Sequence, residues 1–215
     1  PAAVHKYRVE ALTNDGTVVT NTLASGPQIQ LLNGYTLAGA ARDLSASALD
    51  GATAFGSAFA YRWVSTGVTT TANSGQYELV DSAKPAKSGE GYFVKRATTP
   101  VTLPELAASP TLTASTSTIT LSPGWNLISN PYGGAVLLSA VQVKQGASAP
   151  VSWSTAVTNG WLVNAIYYYK GSDWGGTYGF ESTGGSPNAV LTPWMGYWVY
   201  VGKSDATYSL VISKP

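Results

Sequence analysis

The sequence ITLSPGWNL at residues 119–127 is repeated in weaker form as IQLLNGYTL at residues 29–37. Both copies follow the pattern I-x-L-x-x-G-aromatic-x-L, in which apolar positions alternate before the glycine and again after it. Pro-Gly and Asn-Gly stand at the centre of the two copies, and both dipeptides are typical of tight turns between strands. Each copy therefore predicts two strands joined by a turn.

Further landmarks repeat in the same order along the chain. They are aromatic segments at 61–64 and 167–170, Gly-x-Tyr at 75–77 and 176–178, and GYFV at 91–94 against GYWV at 196–199. This repetition predicts two homologous modules, a first module of residues 27–105 and a second module of residues 106–215. The Pro/Thr/Ser-rich stretch from 97 to 118 is interpreted as the connection between them.

Strand signals dominate both copies. Aromatic residues fall on every second position in segments 59–63 and 163–169, and Gly, Asn and Pro punctuate the runs. Helical patterning is short: residues 43–49, with Asp43 as a candidate N-cap, and residues 137–141. We therefore predict an all-β fold of two tandem antiparallel β-sandwiches, jelly-roll-like in form, preceded by a β-hairpin at residues 1–26.

Composition excludes several classes of function. Charged residues are 11% of the 215, less than half of the roughly 25% usual in globular domains, and the net charge is +1. No basic field is present to bind nucleic acid, and no apolar run is long enough for a membrane span. The chain has no cysteine, which excludes disulfides and thiolate sites. Abundant Ser, Thr, Gly, Tyr and Trp favour an extracellular β-rich protein, and the start at Pro1 favours a product processed from a longer precursor.

The second copy carries a family resemblance. GWNLISNPY at 124–132, AIYYY at 165–169 and PWMGYWV at 193–199 together resemble the GWNL-x-x-NPY … IY … GFWV β-modules of large secreted and surface-anchored bacterial proteins. The match covers most of residues 119–202. The first copy is degenerate, because Tyr-Thr-Leu at 35–37 replaces Trp-Asn-Leu and no Asn-Pro-Tyr follows. The resemblance implies a non-catalytic β-sandwich exported to the cell surface, with no active site to carry over.

No constellation of residues predicts catalysis. The single histidine, His5, lies near the N-terminus and is interpreted as solvated, which argues against a Ser-His-Asp site. Asp173 and Glu181 are the best-placed carboxylate pair for glycoside hydrolysis, and we interpret them as solvated loop acids. Metal ligands are not clustered and the Gly-rich stretches lack phosphate-loop context. We expect no catalytic residues, no metal and no cofactor.

Tryptophans are the remaining candidates for binding. Trp125 has a counterpart in the other copy and alternates with Leu127, so we predict that it is a core residue, together with Trp63, Trp198, Tyr92, Tyr197 and Tyr169. Four tryptophans without evident counterparts lie in loops of the second copy, and these are the candidate contact residues: Trp153, Trp161, Trp174 and Trp194. They either cover the edges of their own module or contact a neighbouring subunit or a glycan.

The N-terminal segment is a second candidate for assembly. His5, Tyr7 and Val9 alternate with charged residues, which predicts an amphipathic strand. This strand either completes the first module of its own chain or adds to an open sheet edge of a neighbouring subunit.

Two classes of function remain open from the sequence. The first is a structural subunit of an extracellular assembly such as a pilus, filament or surface layer, including the globular chain of a split pilin. Its partners would be copies of itself or another surface subunit. The second is a pair of carbohydrate-binding β-sandwiches from a secreted enzyme, with a glycan as partner.

Overall fold

The computed structural model of the chain describes residues 28–29, 34–44, 48–56, 59–67, 74–96, 101–102, 112–169, 178–181 and 189–215. Within these residues most of the chain forms strands in antiparallel sheets, with two short α-helices and one 3-10 helix. The predicted all-β fold is confirmed. The N-terminal hairpin prediction, at residues 1–26, lies outside the described residues.

The first module contributes one four-stranded sheet, here called the first sheet, with strand order β2-β5-β3-β4. Strands β1 and β6 pair separately. The elements are β1 (Gln28–Ile29), β2 (Gly34–Gly39), helix α1 (Gly51–Phe55), β3 (Ala60–Gly67), β4 (Ser74–Leu79), β5 (Gly91–Arg96) and β6 (Val101–Thr102).

The second module contributes a second sheet, β8-β15-β12-β13, a third sheet, β7-β16-β10-β11, and the ribbon β9-β14. Its elements are β7 (Thr116–Leu121), β8 (Gly124–Ser129), β9 (Val136–Leu137), a 3-10 helix (Leu138–Ala140), β10 (Gln142–Gln145), β11 (Val151–Ser152), α2 (Trp153–Thr158), β12 (Ile166–Tyr169), β13 (Tyr178–Glu181), β14 (Val190–Leu191), β15 (Gly196–Val201) and β16 (Tyr208–Ser213).

Two details of the prediction are wrong. Helix α1 begins after Asp50, whose carboxylate accepts a hydrogen bond from the N–H of Thr53 at 2.7 Å, so Asp50 and not Asp43 is the N-cap. The connection is also shorter than predicted, because residues 101–102 and 116–118 belong to paired strands. The module boundaries and the jelly-roll-like form stay predictions.

The main core lies between the second and third sheets. Tyr208, Leu210 and Ile212 alternate along β16 and are fully buried there, as the strand period requires. From the facing sheet, Val199 and Val201 enter the same core. The two sheets thus bury a continuous apolar layer.

The opposite face of the second sheet packs against the first sheet. Leu37, Leu127 and Trp198 are buried between them. Five half-buried aromatic residues complete this inter-sheet cluster: Trp63, Phe93, Trp125, Tyr167 and Tyr169. The second sheet is therefore covered on both faces, which explains why β15 is buried at nearly every position.

Trp125 and Leu127 share a face, as predicted, but this face is not the one that covers the main core. The Trp125 ring meets Tyr167, Trp198 and Tyr200 edge-on, with centroids 5.5, 6.2 and 5.0 Å away. Trp125 is half-buried between the first and second sheets, so it packs on the buried residues of the inter-sheet cluster and not in the main core.

Candidate interaction surface

Two of the predicted contact tryptophans are core residues. Trp153 is only 1% exposed, and its indole N–H donates to Oδ1 of Asn164 at 3.2 Å. It begins helix α2, whose turn directs the ring inward to close one end of the main core. Trp161 is also buried, with its ring 5.6 Å from that of Tyr208. Of the two alternatives that the sequence left open for these side chains, burial in the core of their own module agrees with the one in which they cover that module, and neither ring is exposed for contact with a neighbouring subunit or a glycan.

Trp194 lies between the two modules. Its side chain packs on the small core of the first module, and the guanidinium of Arg42 lies 5.0 Å from the ring centroid. Trp194 also has a φ of 68°, the left-handed region that large residues rarely occupy. This tryptophan is a contact residue, but its partner is within the same chain.

The remaining candidates fall outside the described residues. These are Trp174, Asp173 and the three residues of the N-terminal strand, His5, Tyr7 and Val9. Glu181 ends β13, and only its backbone is described. Their predicted roles stay predictions.

A different set of apolar side chains is exposed on the first sheet. Tyr35 is 38% exposed, Phe59 56%, Tyr77 48% and Leu79 43%. We call these four residues the exposed aromatic face. None of them was singled out from the sequence as a contact residue.

Strand register places the four side chains on one side of the sheet. Tyr35 lies opposite Lys95, and the N–H of Lys95 donates to the carbonyl of Phe59 at 2.9 Å. Tyr77 and Leu79 lie opposite residues 63 and 61 of β3. Directly opposed residues project to the same side of a sheet. The exposed aromatic face therefore lies on the side of the first sheet that packs against the second sheet, next to the inter-sheet cluster.

The rings of this surface touch one another across the strands. Tyr35 stacks on Phe93 with centroids 4.9 Å apart and planes at 19°, and Tyr77 lies 5.8 Å from Phe93. The ammonium of Lys95 lies 5.6 Å from the Tyr35 ring and 5.9 Å from that of Phe59. These distances are within the range of cation–π attraction. The surface combines flat rings with one cation, and such a surface favours binding by stacking.

One charged cluster lies on the other side of the first sheet. Buried Arg62 approaches Glu90, with Nη1 and Oε2 3.4 Å apart, and also donates to the carbonyls of Lys84 and Pro85. The hydroxyl of Tyr92 donates to Glu90 at 2.7 Å, and burial of the ring raises the pKa of Tyr92 well above its ordinary value. Every contact of this cluster fixes the chain between residues 84 and 92, which is a structural role.

The Asn-Pro-Tyr motif is structural as well. Asn130 is fully buried, and its amide donates to the carbonyls of Gly134 and Leu191 at 2.7 and 2.8 Å. Its side-chain oxygen accepts from the N–H of Tyr132 at 2.9 Å. All three bonds are to backbone groups, so the motif holds a corner of the second module and leaves no polar atom of Asn130 for a ligand.

Comparison with protein-family models, curated proteins and solved structures finds no match. The resemblance to surface-anchored bacterial β-modules therefore stays a prediction. Among the described residues, no three His, Cys, Asp or Glu side chains come together in a group fit to hold a metal ion. In the same part of the chain, no helix has the length and hydropathy needed to cross a bilayer.

Proposed function

We propose that this protein is a non-catalytic structural subunit of an extracellular bacterial assembly, such as a pilus, a filament or a surface layer. The split-pilin form of this assembly is one version of the same proposal. Its partners would be copies of itself or another surface subunit. The observation that carries the proposal is the exposed aromatic face of the first sheet.

The argument rests on what aromatic side chains do at surfaces. Single exposed apolar residues are ordinary, but neighbouring ones on a flat sheet are typical of interaction sites. Tyr35, Phe59 and Tyr77 supply large rigid contact areas at a low cost in conformational entropy, and aromatic residues are enriched in the centres of protein interfaces.

The charge balance supports association of like copies. A net charge of +1 and a charged fraction of 11% leave little long-range repulsion between identical chains. Copies of this protein can therefore approach closely at neutral pH without a large electrostatic cost.

The test replaces two tyrosines of the exposed aromatic face. Each of the substitutions Tyr35→Ser and Tyr77→Ser should raise the dissociation constant of self-association by about 30-fold, the effect of losing about 2 kcal/mol from an interface residue. The double variant combines both losses, and sedimentation velocity measures them. Leu137→Ser is the matched control, because Leu137 is equally exposed but lies on β9 of the second module. Unchanged association of the tyrosine variant, or an equal loss in the control, would contradict the proposal.

A second candidate function is glycan binding at the same face. The observation in its favour is the ring array, in which Tyr35 stacks on Phe93 next to the Lys95 ammonium. A monomer whose migration is retarded by polysaccharide in affinity electrophoresis would favour this function. Ordered polymers in negative-stain micrographs without added glycan would favour the structural subunit.

A further inference from the structure

The first and second sheets have the same construction. Their strand orders, β2-β5-β3-β4 and β8-β15-β12-β13, correspond strand for strand along the repeat. Their registers also correspond, because Leu37 lies opposite Phe93 in one sheet and Leu127 lies opposite Trp198 in the other. The two sheets that face each other are thus two copies of one unit.

Hydrogen bonds between the two units come in an equivalent pair. The N–H of Gly39 donates to the carbonyl of Trp194 at 2.9 Å, and the N–H of Ser129 donates to the carbonyl of Gly89 at 2.8 Å. In the repeat, Gly39 is equivalent to Ser129 and Gly89 to Trp194. A Cβ on Gly39 would lie 2.1 Å from that of Ser129, so these two equivalent positions meet each other directly. An approximate two-fold axis passes between them.

Ring contacts obey the same relation. Trp63 and Trp198 have centroids 5.4 Å apart, and their equivalents Tyr169 and Phe93 have centroids 5.7 Å apart. An interface in which the same patch is used on both sides is that of a symmetric dimer. Here both sides belong to one chain.

The contacts between the two units depart from this symmetry at Trp194 and its equivalent, Gly89. Trp194 stands where the first module has Gly89, and both residues have positive φ, 68° and 82°. Arg42 lies under the Trp194 ring, whereas its equivalent is Tyr132. Two first modules facing each other would leave Arg42 without the ring, and two second modules would leave Trp194 without the cation, because Tyr132 is buried in the main core. The contact therefore favours unlike modules.

We propose that the face each module presents to the other also docks the opposite module of a second copy of this chain, so that chains join head to tail by exchanging modules. Pairing of Arg42 with Trp194 restricts this exchange to first module with second module. The inference rests on the proposed function, since it supplies a contact through which copies assemble.

Exchange costs no contact. Each hydrogen bond and ring pair of the inter-sheet interface is made again between chains, so the balance between closed and joined chains depends on the protein concentration. The two modules are covalently joined in one chain, and a partner joined to its site in this way has an effective concentration on the order of 1 mM. Joined chains should become abundant when the protein folds near that concentration.

The absence of cysteine from the chain allows a direct test. The hydroxyl of Ser65 in the first module donates to the carbonyl of Pro123 in the second at 2.6 Å, and a Cβ on Gly124 would lie 3.5 Å from that hydroxyl. A disulfide between positions 65 and 124 is therefore within reach. Full-length Ser65→Cys and Gly124→Cys chains are unfolded, mixed in equal amounts and refolded at concentrations up to about 1 mM, then oxidised.

The expected result is a covalent dimer of the two variants whose yield rises at least tenfold between low and high refolding concentration. Gly34→Cys is the matched control, because Gly34 is equivalent to Gly124 and would link to Ser65→Cys only if two first modules paired. Pro123→Cys replaces Gly124→Cys if the left-handed backbone at Gly124, with φ of 86°, prevents folding. A covalent dimer from Ser65→Cys with Gly124→Cys or Pro123→Cys, and none with Gly34→Cys, supports the inference.

Two results would overturn it. One is the absence of the covalent dimer at every concentration, and the other is an equal yield with Gly34→Cys. Light scattering on the same samples separates this failure from that of the proposed function. Particles that grow without the disulfide would reject module exchange and leave assembly through the exposed aromatic face in place.

Discussion

Tyr92 of the first module and Tyr197 of the second occupy equivalent positions at the start of β5 and β15, and both anchor the preceding loop in the same way. Their hydroxyls accept hydrogen bonds from the N–H groups of Lys87 and Thr192, at 2.6 and 2.8 Å. The two tyrosines differ in their neighbours. In the first module these are the charged pair Arg62 and Glu90. In the second module the equivalent positions hold Tyr168 and Met195, which pack on the main core.

The comparison shows which part of the motif the fold requires. The hydrogen bond from a backbone N–H to the tyrosine hydroxyl occurs in both modules. The two positions beside the tyrosine hold an ion pair in one module and an uncharged pair in the other. The two cores differ in the same sense. Among the described residues, small side chains dominate the core of the first module, with Phe55 and Tyr92 as its large members, while the core of the second module is larger and includes Trp153. We expect the second module to contribute more of the hydrophobic stabilisation.

The largest effect is expected from emptying that larger core. Trp153→Ala should lower the free energy of unfolding by about 3–5 kcal/mol, since it leaves a cavity where an indole was fully buried. Guanidinium denaturation measures the change. Trp153→Phe is the control, and it should cost less because a ring remains and only part of the indole volume, together with the hydrogen bond to Asn164, is lost. An unchanged midpoint in Trp153→Ala would contradict the burial of this residue.

Replacing Arg62, the buried cation beside Glu90, should lower the free energy of unfolding by about 2–3 kcal/mol. Arg62→Met removes the guanidinium donor from the carbonyls of Lys84 and Pro85, of which the Lys84 carbonyl keeps a bond from the N–H of Asp81 at 3.3 Å. The cost stays below that of a fully buried ion pair because the side chain of Glu90 is 31% exposed. Urea denaturation of Arg62→Met and of the unsubstituted protein measures this loss of stability.

The sharper form of this test transplants the second module's residues. A double variant, Arg62→Tyr with Glu90→Met, should recover at least half of the stability lost in Arg62→Met. A double variant no more stable than the single one would show that the two environments are not interchangeable, and the comparison of the modules would fail at this position.

Alkaline pH should destabilise the protein through Tyr92. Burial first, and the charge of Glu90 second, raise the pKa of this hydroxyl in the folded state. An unfolded tyrosine ionises near pH 10, so above that pH the unfolded chain releases a proton that the folded chain keeps. The free energy of unfolding then falls as pH rises, by up to about 1.4 kcal/mol per pH unit.

Tyr92→Phe should flatten this decline between about pH 10 and 11, as measured by urea denaturation at several pH values. Tyr35→Phe, at an exposed tyrosine, controls for the loss of a hydroxyl. An equally steep decline in Tyr92→Phe would assign the alkaline sensitivity to other groups, of which burial-raised Tyr132 and Tyr208 are candidates.

The smallest effect is expected at Trp194, where two substitutions separate the contribution of the backbone conformation from that of the side chain. Trp194→Gly should be more stable than Trp194→Ala by about 1 kcal/mol, because both lose the ring over Arg42 but only glycine adopts the positive φ freely. Thermal melting of the two variants makes the comparison. Equal stabilities would mean that the backbone relaxes after substitution, and that φ at Trp194 depends on its ring.

Local patterns were reliable where the responsible forces are local. Gly124 was identified as a turn residue from Pro123-Gly124 alone, and its φ of 86° agrees. Alternation in segments 59–63 and 163–169 indicated strands, and the structure has β3 from residue 60 and β12 over residues 166–169. The repeat of GYFV and GYWV anticipated the equivalent strands β5 and β15 in their two sheets.

The contact residues were harder to infer. Trp153 and Trp161 were candidate contact residues because their neighbours are polar and they lack counterparts in the other copy, and the sequence left open whether they cover their own module. The structure buries both. A usable signal existed for the exposed aromatic face: Tyr77 and Leu79 alternate with Gln76 and Glu78, which marks a strand whose two faces are unlike. Which part of the β4 strand stays exposed depends on how far the second sheet covers the first sheet. The alternation of residues along one strand does not contain that information.

The sequence by itself determined that this protein repeats one β-unit, where its chain reverses, and which residues alternate along its strands, because turns and strand periodicity act between neighbours. Only the tertiary structure decided that the two units face each other about an approximate two-fold axis, with Trp63 against Trp198 and Arg42 under Trp194. These contacts join residues more than a hundred positions apart, and packing free energy depends on which surfaces meet in space and not on their order along the chain.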